Sequence, residues 1–153
     1  MKRVNEYRKL FNVDKETDLA QLKKTYRNLV KEWHPDKFQE GDEKATEAKD
    51  MSLKIIDAYH FLVSIAPETK EANLEEYTKT INESGIESFK HKSMRMEITF
   101  TDGTTYEYFG VNINLFNKFL ESNNQYRFAR RNILTSFLYR KSKRDVEQET
   151  SNG

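Results

Sequence analysis

Leu22-Lys23-Lys24-Thr25-Tyr26-Arg27-Asn28-Leu29-Val30-Lys31-Glu32-Trp33-His34-Pro35-Asp36-Lys37 decides the fold of the N-terminal half. Leu19, Leu22, Tyr26, Leu29, Val30 and Trp33 recur at helical spacing and give one apolar stripe. Lys23, Arg27 and Lys31 are four apart and share the opposite face, with Lys24 off that line. Asp18, followed three residues later by Gln21, is a helix start of the capping-box kind. Pro35 ends the helix and restricts the residue before it, so His34 and Asp36 are left at a turn beside a positive stripe. A site of that kind suits contact with a charged partner protein. Catalysis by a His34–Asp36 pair lacks a nucleophile, a third residue and an oxyanion-type glycine loop, so no enzyme is expected.

Outward from this segment, Asn5 to Phe11 reads as a short helix carrying Tyr7, Leu10 and Phe11, stopped by Asn12 in a left-handed cap. Phe38 to Lys44 is a polar loop. A helix from Ala45 to Ile65 buries Ala48, Met51, Ile55, Ala58, Tyr59, Leu62 and Ile65, and should pack antiparallel on its predecessor. Leu53, Ile56 and Phe61 lie off that stripe, either as scattered surface apolars or as a place where another segment docks. Pro67 suits the first turn of a further helix, with Leu74, Tyr77 and Ile81 as a thin apolar edge up to Gly85.

In their order, these features resemble the J-domain of DnaJ-type co-chaperones over residues 5 to 65: Tyr7 to Val13, Tyr26-Arg27 in the basic helix, His34-Pro35-Asp36 and Ala58-Tyr59. The resemblance implies that the chain binds a DnaK-type chaperone and accelerates its ATP hydrolysis. His34, Pro35 and Asp36 would be required for stimulation, Lys23, Arg27 and Lys31 would face an acidic surface of the partner, and Tyr26 and Lys37 would add contacts. Tyr26 falls on the apolar stripe and reads equally well as core. Two departures stand out. Ser52 replaces an aromatic usual near that position, so that Met51 or Leu53 must fill the space. The Lys/Arg-rich fourth helix ending in Tyr-Asp is not recognisable after Pro67. With no Gly/Phe-rich linker and no zinc-binding Cys repeat, the chain resembles the divergent J-proteins, whose extra domain supplies targeting.

Composition narrows the alternatives. Of 153 residues, 36% are hydrophobic and 33% charged, so any single core is modest, and the 12% aromatic content compensates because each ring buries a large area. The absence of cysteine removes disulfides, thiolate nucleophiles and most structural zinc sites, and His34, His60 and His91 lack metal-ligand spacing. No cofactor is expected. No apolar run approaches the ~20 residues of a membrane span, and the first residues lack a signal-peptide core. A cytoplasmic protein is therefore expected. Residues 1–84 carry 15 Lys/Arg against 17 Asp/Glu, whereas residues 85–144 carry 11 against 5, which points to two units with different partners.

From Ile86 the periodicity changes. Met94 to Phe100 alternates with period two, Thr101-Asp102-Gly103 follows, and Thr104 to Phe109 resumes; Asp-Gly between two such runs signals a hairpin. Ile113, Phe116 and Leu120, widened by Leu115 and Phe119, describe a short helix, and Tyr126 to Tyr139 a helix or a helix plus strand. Phe100-Thr101-Asp102-Gly103, Tyr106-Glu107-Tyr108 and Gly110-Val111 resemble the KTSC domain, found at the end of some lysyl-tRNA synthetases and by itself. RNA binding is a suggestion attached to that family. Arg127, Arg130, Arg131, Arg140, Lys141, Lys143 and Arg144 have no acid among them, and Tyr126, Phe128, Phe137 and Tyr139 are interleaved. Cations and rings are what single-stranded RNA binding uses. The other reading makes the rings a small core and the arginines its solvated rim, and Tyr106 and Tyr108 pack on a helix or form a platform.

An α+β protein is thus expected: a J-domain over 1–66, a helical linker over 67–85, a hairpin-plus-helix domain over 86–142 and a flexible tail over 143–153. The main function is that of a co-chaperone for a DnaK-type ATPase, targeted by its C-terminal unit. The alternative is an RNA-binding adaptor acting through the basic unit on RNA or a ribonucleoprotein.

Overall fold

A computed structural model describes residues 2–39, 41 and 43–142. The tail expected over 143–153, with Lys143 and Arg144, lies outside the described residues. The chain divides into two compact units, Lys2–Glu71 and from Ala72 onward.

The first unit is helical: α1 Lys2–Phe11, α2 Leu19–Glu32 and α3 Glu43–Ser64, with the first residues of α4, Pro67–Glu83. Two of the boundaries have a local cause. Asn12, with φ 53°, closes α1, and the Val13 amide bonds back to the Arg8 carbonyl at 3.0 Å. The Asp18 carboxylate accepts the Gln21 amide at 2.8 Å and starts α2. Three contacts mark how α2 runs along α3 and the start of α4. The Trp33 carbonyl meets the Ser52 hydroxyl, Tyr26 stacks on Tyr59 with centroids 4.2 Å apart, and the Leu19 amide donates to Glu68 at the start of α4. Residue numbers fall along one partner as they rise along the other, so the pairing is antiparallel, as the stripes require. Phe61, off the main stripe, is buried under α1, edge-on to Tyr7 at 5.4 Å and capped by the Arg3 guanidinium at 4.6 Å. Leu53 and Ile56 stay exposed, so the docking reading holds for Phe61 alone.

The second unit holds a four-stranded antiparallel sheet in the order β1 Ile86–Lys92, β2 Arg95–Phe100, β3 Thr105–Phe109, β4 Leu138–Lys141. The expected hairpin is its middle pair, β2–β3. Strand β1 lies outside the expected elements because it is largely polar and its two-residue turn is Ser93-Met94. Both residues take positive φ, 50° and 63°, where Asn-Gly would be the usual signal. The Met94 carbonyl accepts the Gly110 and Val111 amides at 2.9 and 3.0 Å, which holds that turn in place. Helix α4 from Ala72, α5 Ile113–Glu121 and α6 Gln125–Asn132 contribute to a core with Met96, Ile98, Phe100, Tyr106, Tyr108 and Tyr139. In α5 the buried side centres on Phe116 and Phe119, which meet Phe89 of β1, while Ile113 and Leu120 turn outward. The segment expected as a linker is α4, with Tyr77, Thr80 and Ile81 buried in this unit and Leu74 exposed.

Two of the polar links between α4 and the sheet are buried or part-buried. The Tyr77 hydroxyl donates its single proton to the Leu134 carbonyl at 2.6 Å, so the Tyr108 hydroxyl, 2.8 Å away, must donate to Tyr77. Burial, the dominant influence, drives the Tyr77 phenol far above its ordinary value, so it stays a donor. At the β2–β3 turn, Asp102 accepts from the Thr80 hydroxyl at 2.7 Å and the Thr104 amide at 2.9 Å, and Gly103 takes φ 92°. Partial burial pushes the Asp102 carboxyl up, but bonds from Thr104, Thr80 and Ser84 outweigh it and hold it below the usual range.

Tyr77→Phe should therefore destabilise the second unit by about 1–3 kcal/mol, since it strands the Leu134 carbonyl and the Tyr108 proton; urea unfolding followed at β3 amides measures this. Asp102, with its depressed folded value, contributes stability above the unfolded-state pKa of about 3.9 that disappears as pH falls through the folded value. Asp102→Asn should flatten that part of a melting-temperature profile recorded between about pH 6 and 2.

Candidate functional site

The expected site is assembled at one end of α2. Lys23, Arg27 and Lys31 are all exposed along the helix. Trp33 closes it, its amide bonded to the Leu29 carbonyl at 3.0 Å. The chain then makes a single 3-10 turn, Pro35–Lys37, with the Lys37 amide bonded to the His34 carbonyl at 3.0 Å. The Asp36 amide donates to His34 Nδ1 at 3.2 Å, which requires a lone pair on Nδ1 and places the proton of the neutral ring on Nε2, available to a partner. The Asp36 carboxylate is 3.6 Å from Nδ1, beyond a hydrogen bond, and 92% exposed; the His34 ring is 50% exposed. A free carboxylate, an imidazole donor and a row of cations thus face solvent from a turn held by its own backbone.

Tyr26 has a different position. It is half-buried against Tyr59 and packs α2 on α3. Lys37 is exposed at the end of the turn.

In the sequence, Ser52 stands out only as a departure. Neither expected filler takes the aromatic's place fully: Met51 is half-buried and Leu53 is 58% exposed. Ser52 instead donates its hydroxyl to the Trp33 carbonyl at 3.0 Å, the residue just before His34. The hydrogen bonds within 34–37 are local, whereas the Ser52 bond ties the entrance of the turn to α3. Only tertiary structure reveals the link, because nineteen residues separate the partners.

The basic residues of the second unit do not form one surface. Arg140 must be removed from the expected set: its side chain is 8% exposed, and Nε holds Glu107 at 2.8 Å, with Arg95 on the other carboxylate oxygen at 3.0 Å. Lys141 belongs to β4 and pairs with Glu76 at 3.3 Å. Arg130 donates to the Ile81 carbonyl and the Tyr126 hydroxyl, at 3.3 and 3.2 Å, and Tyr126 donates to that same carbonyl. Tyr139 is buried, and Phe128 and Phe137 pack against the core, so these rings follow the core reading. Tyr106 and Tyr108 are buried too and form no platform. Arg127 and Arg131 remain exposed on α6.

Comparison with known proteins agrees with both halves of this description. The DnaJ domain family model matches residues 6–82, which takes in α4, and the KTSC domain model matches residues 82–137. A curated relative, "Chaperone protein DnaJ" from a Nitratiruptor species, is 29% identical over 106 residues, 69% of this chain and 26% of that protein. The chain thus spans about a quarter of the length of the curated relative it matches. No solved structure matches it. On the sequence, the helical hairpin with its His-Pro-Asp turn and the extent of the match, the chain belongs to the DnaJ domain family and carries a KTSC domain after its J-domain.

Proposed function

We propose that the chain is a co-chaperone that docks on a DnaK-type ATPase and stimulates its ATP hydrolysis, without catalysis of its own, in the cytoplasm. The exposure of His34, Asp36 and Lys37 at the end of a row of exposed cations is the observation that carries this reading. Lys23, Arg27 and Lys31 steer the first unit onto an acidic surface; rim charges of this kind act mainly on the association rate. Discrimination then falls to the turn. Asp36 accepts a charge-assisted bond from a partner cation, and His34 offers its Nε2 proton. The KTSC-type unit serves as the targeting module. The RNA-adaptor alternative is the weaker one, because Arg140, Lys141 and Tyr139 are committed to the fold of that unit and Tyr106 and Tyr108 form no platform.

Single-turnover ATP hydrolysis by a DnaK-type chaperone tests this. His34→Gln should lower stimulation roughly tenfold or more, a loss of about 1.4 kcal/mol that one hydrogen bond to the partner can account for, with an unchanged circular dichroism spectrum. Wild-type protein without stimulation would overturn the reading. Ser52→Ala should cost about 1 kcal/mol of stability and speed amide exchange in residues 34–38, and Ser52→Thr should restore the slower exchange.

A further inference from the structure

Arg127 and Arg131 line a concavity of about 420 Å³ between the α5–α6 connection and α6, together with Asn123, Asn124, Phe128 and Asn132. The two guanidinium groups are four residues apart on one helix, so they lie side by side on one face. Neither has a carboxylate within salt-bridge distance among the described residues, in contrast to Arg95, Arg140 and Lys141 of the same unit. Arg130, between them, is turned to the Ile81 carbonyl. The rest of the wall is held by its own bonds. Asn124 accepts the Arg127 amide at 3.0 Å, the Ser122 hydroxyl donates to the Asn124 carbonyl at 3.1 Å, and Asn132 donates to the Phe128 carbonyl at 3.0 Å. Phe128, half-buried against Phe119, supplies an apolar wall. A polar rim held by local bonds, two exposed planar cations without a carboxylate partner among the described residues and one half-buried ring make an open concavity that favours an anion.

We infer that this concavity binds a nucleoside phosphate, with the phosphate between Arg127 and Arg131 and the base against Phe128. The site is independent of the co-chaperone reading. It is shallow and solvated, so the affinity for a single nucleotide is on the order of millimolar. The phosphate can come from a free nucleotide or from one residue of an RNA strand, and the titration separates these.

The full chain, labelled with nitrogen-15, is titrated with adenosine monophosphate, inorganic phosphate, adenosine, citrate and a short single-stranded ribo-oligonucleotide. Saturable shifts at Arg127, Phe128 and Arg131 with adenosine monophosphate, weaker ones with phosphate and none with adenosine are expected. Arg127→Gln with Arg131→Gln should abolish them, whereas Lys118→Gln, which removes one charge from α5, should leave affinity within about twofold, as long-range screening implies. An oligonucleotide bound far more tightly than the monomer, with steep salt dependence, assigns the site to a strand; equal affinities assign it to free nucleotides. Citrate binding as well as the monophosphate, shifts without saturation, or binding that survives the double variant would overturn the proposal.

Discussion

The antiparallel seam between α2 and α3 is the constraint on which the first unit depends. Leu22, Ile55, Ala58 and Leu62 are buried along it, and Tyr26 stacks on Tyr59. Once those residues turn inward, the helical period leaves Lys23, Arg27 and Lys31 on the outside. The same pairing brings the Trp33 carbonyl to Ser52, so the proline-ended turn leaves α2 from a held position. Cations and turn are therefore consequences of one packing choice. The charges themselves contribute little to stability; exposed and solvated, they are free to meet a partner.

The second unit uses its polar groups differently. Tyr77, Tyr108 and the Leu134 carbonyl form a buried chain of hydrogen bonds, and Asp102 knots the turn of β2–β3 to Thr80. Glu107 sits between Arg95 and Arg140 on neighbouring strands. A run of cations that looks uniform in one dimension is divided by the sheet and α6 into those bonded within the fold and two, Arg127 and Arg131, exposed without a carboxylate partner among the described residues. The buried members cannot serve a ligand without leaving a carboxylate uncompensated, which is costly.

Much of this was legible in one dimension because it rests on local rules. Asn12 and Asp18 show their capping roles by residue type, and Asp102-Gly103 marks its turn. Strand β1 was not legible. A polar strand joined through Ser93-Met94 carries neither clear alternation nor a turn dipeptide, and it exists because β2 offers an edge to pair with. The same holds for the inward face of α5, where Ile113 and Phe116 read alike until Phe89 chooses the latter.

By itself, the sequence determined the helices of the first unit with the caps at Asn12 and Asp18, the basic stripe, the His34-Pro35-Asp36 turn and the middle hairpin, since each follows from periodicity or backbone preference within a few residues. Tertiary structure alone decided that Ser52 anchors the turn, that Phe61 lies under Arg3 and Tyr7, and that Arg140 is buried while Arg127 and Arg131 stay free. The physical reason is range. Caps and stripes are set by neighbours along the chain, whereas the role of a hydroxyl or a guanidinium is set by which distant acceptor the packing delivers within about 3 Å.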